Sequence, residues 1–522
     1  MSFDLIHKLR RIDGLPGHPD INTECMETNT GSLGMGISKA KGMVIANRLN
    51  RLTGSIYLIT GDGEIQEGQF WESLISGVNN NFHEIVTIID HNKLQSDTYI
   101  SQVSDLGDLE EKLKSFGWHV ERIDGHDISS FASTLNKLKK IKDKPKVIIA
   151  DTIKGKGVSF MEHTAMESDA EMYRFHSGAP DAESYTKAAQ ELIDTINIQL
   201  NKVEAEEIQL EIIERPVTAQ QEKTQRLIPA YTEALLEQAE KHKNLVALDA
   251  DLILDTGLIP FKEKFPDRFI ECGIAEQDMV SQAGGMALKG LLPVVHSFAC
   301  FLSTRPNEQI YNNATEKKKI IYVGSLAGLL PGGPGHSHQS VRDISALGGI
   351  PGLTLIEPSC EAEVAQVVDY AVNQNEFSTY IRLVSIPYSV PFELPDNYEL
   401  KEGQGVALRE GTDAVLFAYG PVMLSEAYLA AEILEKDYKF SLKVVNLPWL
   451  NLVDGHWLSD QIGEIRRVFT IDNHLLNGGQ GQYIAATLSE IGGNKNLDFI
   501  RFGIEDIPAC GTNSELLNHY GM

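Results

Sequence analysis

Ile56-Tyr57-Leu58-Ile59-Thr60-Gly61-Asp62-Gly63 is an apolar run broken by a glycine-flanked aspartate, and a second apolar run at 84–90 is followed by Asn92. The residues between, 64–91, have room for one crossover helix and one returning parallel strand, so Asp62 and Asn92 are expected at the carboxyl ends of neighbouring strands. Open α/β sheets bind ligands at such ends. Two oxygen side chains there, with glycines that let a diphosphate approach the backbone, suit Mg2+, which takes few protein ligands and completes its shell with phosphate oxygens. The competing reading is an Asp that caps the following helix and a turn Asn.

The order of strand, Gly61-Asp62-Gly63, helix, strand and Asn92 resembles the thiamine diphosphate motif of the transketolase family. The second half of the chain carries a matching piece. Gly273-Ile274-Ala275-Glu276-Gln277 follows Arg268-Phe269-Ile270-Glu271 and resembles the family segment whose glutamate activates thiamine. The resemblance implies thiamine diphosphate and Mg2+ as cofactors, with metal ligands from Asp62, Asn92 and the Leu94 carbonyl.

Strand and helix candidates alternate along the chain, with strands expected at 55–60, 84–90, 146–151, 245–250, 292–297, 318–324, 353–357, 414–418, 442–445 and 468–471. The expected class is α/β: three mostly parallel, doubly wound domains of the thiamine diphosphate-binding, transketolase-like fold. The expected boundaries are 1–200 for a domain binding diphosphate and Mg2+, 201–222 for a polar linker, 223–392 for a pyrimidine-binding domain and 393–522 for a C-terminal domain.

The whole chain has 522 residues, 42% hydrophobic and 23% charged, as ordinary globular proteins do. A formal net charge of −27 argues against nucleic acid and anionic membranes as partners. Five scattered cysteines without CxxC spacing indicate neither a disulfide framework nor a zinc site, and a reducing cytoplasm is the expected compartment. The N-terminus shows no signal-peptide pattern and no apolar run reaches membrane-spanning length.

The resemblance assigns further residues. Glu276 would exchange a proton with N1′ of the aminopyrimidine; an exposed helix-start Glu stabilised by the dipole is the alternative. Glu67 and Glu72 match glutamates that meet the activating glutamate across a dimer interface, or else lie on a solvated helix face. His18, in Gly17-His18-Pro19-Asp20, would sit beside donor hydroxyls. Gly31 and Leu33, in Thr30-Gly31-Ser32-Leu33-Gly34-Met35-Gly36, would border the cofactor, Leu33 touching the thiazolium. His176, after Lys154-Gly155-Lys156-Gly157, would contact the diphosphate, with Gly61 and Gly63. Phe301 matches the ring that stacks on the aminopyrimidine, and Phe298 is its neighbour, although core packing is the usual fate of Phe. Asp251, in the shared Ala250-Asp251-Leu252, joins the cofactor set. His338, in Ser337-His338-Gln339, matches the family histidine near the reacting carbon, with His336 an extra candidate.

There are departures. Only Met1–Pro16 precede the Gly-His-Pro motif, where family members carry a longer stretch with two histidine loops, so the substrate channel is expected to be opened or filled otherwise. Acceptor-phosphate positions usually holding Arg, Ser, Arg and His become Ile228, Asp255, Val384 and Leu326, while Arg382 stays nearby as a possible replacement. A family acidic position falls in Gly332-Gly333-Pro334-Gly335.

The expected activity is transfer of a two-carbon ketol unit from a sugar donor to an aldehyde acceptor that is not a standard aldose phosphate, by a homodimer. Decarboxylative ligation of a keto acid, as in deoxyxylulose phosphate synthase, is an alternative that Asp472-Asn473-His474 and Gly478-Gly479-Gln480-Gly481 fit equally well. A non-catalytic thiamine diphosphate-binding subunit is a third reading.

Overall fold

The computed structural model describes residues 3–168, 172–177, 180–211, 224–491 and 497–522. Two compact units are present, one formed by Leu33–Gln220 with Gly273–Ala275, the other by Met1–Ser32, Gln221–Cys272 and Glu276–Met522.

The first unit is built on β1 (Ile56–Gly61), β2 (Ile85–His91), β3 (His119–Asp124) and β4 (Lys146–Asp151), in the order β1-β2-β4-β3. Every pairing is parallel. Central β4, Lys-Val-Ile-Ile-Ala-Asp, is buried along nearly its whole length, whereas edge strand β1 alternates, with Tyr57 and Ile59 exposed. A strand covered on both faces needs a continuous apolar run; one covered on a single face needs only every second residue. The helix Gly68–Asn79 makes the β1-to-β2 crossover and inserts Phe70 and Leu74 into the core.

The second unit holds two sheets. One contains β5 (Leu245–Asp249), β6 (Phe269–Glu271), β7 (Leu292–Phe298), β8 (Ile321–Ser325), β9 (Leu353–Ile356) and β10 (Ser378–Arg382), ordered β6-β5-β7-β8-β10-β9 and parallel throughout. The other contains β11 (Val406–Arg409), β12 (Ala414–Ala418), β13 (Leu442–Asn446), β14 (Arg467–Leu475) and β15 (Asp498–Ile504), ordered β11-β13-β12-β14-β15, with only β11 antiparallel. The three sheets and their covering helices are the expected α/β class.

These two sheets are joined through Arg382, a fully buried side chain at the end of β10. Its Nε donates to Asp343 at 2.8 Å, Nη1 pairs with Glu357, and Nη2 donates to the carbonyls of Ser340 at 2.7 Å and Asn473, on β14, at 2.8 Å. A buried guanidinium is tolerated when each of its nitrogens finds an oxygen, as here. Arg382 is therefore spent on structure, which corrects the expectation of it as a replacement ligand for a substrate phosphate.

Of the expected linker, the described part comprises the end of the helix Ala182–Lys202 and irregular chain to 211; the rest lies outside the described residues. Among the described residues no helix is long and apolar enough to cross a membrane.

Candidate functional site

In the first unit β1 ends at Gly61, so Asp62 and Gly63 form the turn into the crossover, and Asn92 follows directly on β2. Asp62 is 2% exposed. Its Oδ1 accepts from the Gly63 amide at 2.9 Å and its Oδ2 from the Lys93 amide at 2.6 Å. Burial pushes this carboxyl up to about 6. The two amides stabilise the anion only partly, and a cation would supply what is missing. Asn92 Oδ1 accepts from the Leu94 amide at 3.0 Å, folding 92–94 into a tight turn with Lys93 at φ 68°. A Cβ on Gly61 would meet nothing within 4 Å, leaving open space beside the turn. Among the described residues no group of three or more His, Cys, Asp and Glu is gathered, so a divalent ion here would rely on its ligand's oxygens as well as on protein. A diphosphate with Mg2+ fits this donor set.

Around that turn, Glu64 accepts from the amides of Gly34 at 2.9 Å and Gly61 at 3.3 Å. Glu67 is buried just ahead of the helix Gly68–Asn79, and Glu72 on that helix is exposed. Leu33 adopts a left-handed backbone, φ 53°, a conformation that costs a non-glycine residue about 1 kcal/mol or more and gathers at functional sites. His176 is exposed, and Lys154 Nζ donates to its Nδ1 at 2.9 Å. An ammonium can only donate, so the proton of neutral His176 sits on Nε2, a donor suited to an anion. Gly178 and Ala179 of the same motif lie outside the described residues.

In the second unit Glu276 begins the helix Glu276–Leu288, 2% exposed. Its Oε1 accepts from Arg305 Nη1 at 2.7 Å, while its Oε2 is buried without a hydrogen-bond partner among the described residues. An orphaned carboxyl oxygen of this kind costs about 1–3 kcal/mol and fits a polar nitrogen supplied by a ligand. The guanidinium of Arg305 also lies 4.0 Å from the centroid of Phe301 and donates to the Ser32 carbonyl at 2.9 Å. Phe298 and Phe301 are buried with centroids 5.8 Å apart, and Leu252 and Leu326 pack against them.

His338 meets Phe301 edge-on at 5.1 Å and stacks on His18 at 4.5 Å with 7° between planes. His18 Nδ1 lies 2.8 Å from the Pro334 carbonyl and must donate there. Gly17 and Gly31 permit these approaches: a Cβ on Gly17 would lie 2.2 Å from the Gly333 carbonyl oxygen, and one on Gly31 2.4 Å from Ser337 Oγ. Asp251 is buried at φ 60°, and its amide donates to Glu271 at 2.9 Å.

Arg305, which sequence reasoning left unassigned, joins Glu276 to Phe301, and Phe301 continues through His338 to His18 with Phe298 alongside. The available signal was its spacing. Arg305 follows Phe301 by one helical turn, its amide bonded to the Phe301 carbonyl at 3.0 Å, so both side chains share a face.

Two expectations need correction. Val384 is a core residue, so a substrate-facing role carried over by ungapped counting does not hold there; Asp255 is exposed and Ile228 half-buried. Asp472-Asn473-His474 is occupied in packing: Asp472 accepts from the Gln480 and Gly481 amides, Asn473 Oδ1 from Leu329 N and His474 Nε2 from Ser345 N. Its fit to the decarboxylating group is therefore a matter of fold rather than of chemistry.

Three family descriptions match in succession: "Transketolase, thiamine diphosphate binding domain" over residues 1–239, "Transketolase, pyrimidine binding domain" over 224–386 and "Transketolase, C-terminal domain" over 403–522. Transketolase-like protein 2 of Mus musculus is 29% identical over 99% of this chain and 82% of its own length. Transketolase of Homo sapiens is 28% identical over 98% and 82%. A split-gene transketolase, solved as an inactive β4 tetramer, is 30% identical over 56% of this chain and 92% of its own, with a TM-score of 0.50. With those domains matched in order along a chain that already holds the buried Asp62 and Glu276, this protein belongs to the transketolase family.

Proposed function

We propose that this protein is a thiamine diphosphate-dependent transferase that moves a two-carbon ketol unit from a ketose donor to an aldehyde other than a standard aldose phosphate. The observation that carries the reading is Glu276, a buried carboxyl with one oxygen held and the other unpartnered, in the same unit as Phe301, His338 and His18. When bound, the cofactor supplies the carbon nucleophile and electron sink that amino-acid side chains lack.

The chain's own residues bind, orient and move protons. Asp62, Asn92 and the Leu94 carbonyl would hold Mg2+, and Gly61 and Gly63 would let the diphosphate approach, with His176 Nε2–H a further donor. Glu276 would exchange a proton at N1′ of the aminopyrimidine, and Phe301 would hold the ring. His18 Nε2 would accept a hydroxyl proton from a ketose, which supports a sugar over a keto acid as donor. Residues 1–200, 223–392 and 393–522 are proposed as the diphosphate, pyrimidine and C-terminal domains, acting as a homodimer that light scattering would detect. All five cysteines are free, which supports a reducing compartment such as the cytoplasm.

The test is purified protein with Mg2+ and thiamine diphosphate against a panel of ketoses, pyruvate and aldehydes, with products identified by mass spectrometry. Ketol transfer is expected, and loss of it in Glu276→Gln, with slowed deuterium exchange at C2 of the bound cofactor. Carbon dioxide release from pyruvate without ketose turnover would overturn the donor assignment. Cofactor binding without any turnover would mark a non-catalytic subunit.

A further inference from the structure

We propose that Arg305 is the positioning residue of the activating acid: one guanidinium holds a single oxygen of Glu276 and the ring of Phe301, leaving the other Glu276 oxygen for N1′ of the cofactor. The inference rests on the proposed thiamine diphosphate reading.

The geometry comes from three contacts on one rigid plane. Nη1 meets Glu276 Oε1 at 2.7 Å, Nη2 meets the Ser32 carbonyl at 2.9 Å, and the guanidinium carbon lies 4.0 Å from the Phe301 centroid. Arginine does not deprotonate in proteins, so the clamp keeps its charge and its donor geometry. The planar fork also makes the acid and the ring a single assembly, because moving one displaces the donor that holds the other.

Other charges near Glu276 do not supply this. Asp278 lies on its own helix, and Asp343 is bound to Arg382. Cys300 is a neutral thiol, pushed up to about 12 by burial.

Two variants separate positioning from simple structural support. Calorimetric binding of thiamine diphosphate with Mg2+ shows whether each variant still forms the site, and binding should persist in both Arg305→Lys and Arg305→Gln. C2 deuterium exchange of the bound cofactor should fall about tenfold or more in Arg305→Gln and less in Arg305→Lys, which keeps the charge but loses the flat clamp. Parental exchange in cofactor-bound Arg305→Gln would overturn the proposal. Should Arg305→Gln fail to fold, Arg305→Lys decides it, since parental exchange there would remove the need for the clamp. If the parent itself binds no thiamine diphosphate, the functional reading fails; if the parent binds and exchanges and Arg305→Gln matches it, the Arg305 assignment alone fails.

Discussion

The imidazole rings of His18 and His338 are stacked, 4.5 Å between centroids and 7° between planes, although 320 positions of numbering separate the two residues only in sequence and not in the unit they share. Pro334 fixes one ring through its carbonyl, and Phe301 and Phe298 meet the other edge-on. The pair should therefore act as one element.

His18→Ala and His338→Ala should each lower kcat/KM for a ketose donor by about tenfold or more, and the double variant should lose less than the product, with a coupling of about 1 kcal/mol. A double-mutant cycle measures this. Strict additivity would mean that the stacked rings work independently.

Arg382→Met should destabilise the protein by about 3–5 kcal/mol, because Asp343 and Glu357 would remain buried without their cation. Denaturant titration checks it. Phosphate selectivity of the acceptor should not move with this variant, since the side chain is 0% exposed.

Much of the fold was legible because buried parallel strands are continuous apolar runs. β1, β2, β4, β5, β7, β9, β12 and β13 fall within a residue or two of the expected segments. The missed strands had other patterns. β3, His-Val-Glu-Arg-Ile-Asp, is an edge strand rich in charge, β11 and β15 are edge strands, and β10 ends in Arg382, a residue that seldom closes a buried run. The positions of Asp62 and Asn92 after two strands and of Glu276 at a helix start could be read because their motifs are local in sequence. The Arg305 contacts could not, since they join Glu276, Phe301 and Ser32 through side-chain directions that only the packed unit sets. Backbone strain was equally hidden: Leu33, Lys93, Asp251 and Leu326 all have positive φ, and none is glycine.

For the acceptor, neutral or cationic aldehydes should outperform phosphorylated counterparts by about tenfold or more in kcat/KM, because Ile228 stands where one phosphate-clamping Arg is expected and Arg382 is spent on structure. Asp255 is exposed, Leu326 packs beside Phe298 and Phe301, and Arg382 is unavailable. Paired substrates at fixed donor give the answer. A preference for the phosphorylated member would direct attention to Arg10, whose Cδ lies 3.3 Å from where a Cβ of Gly333 would stand.

The raised Asp62 carboxyl has a stability signature. Its folded value of about 6 exceeds the ordinary 3.8, so the folded state holds the proton more tightly and the contribution to stability falls as pH rises from about 4 to about 6. In metal-free protein the cost above that window is up to about 3 kcal/mol. Asp62→Asn should therefore gain stability relative to the parent at pH above about 6 but not below about 4, by denaturant titration at both ends. An equal difference at both ends would contradict the burial argument.

The most direct measurement is calorimetric titration of thiamine diphosphate into the protein with and without Mg2+, repeated on Asp62→Ala. Binding that requires Mg2+ in the parent and is lost in Asp62→Ala is the predicted result, because removal of one of few anionic ligands leaves the metal and its diphosphate unanchored. Unchanged affinity in Asp62→Ala, or binding indifferent to Mg2+, would contradict the account.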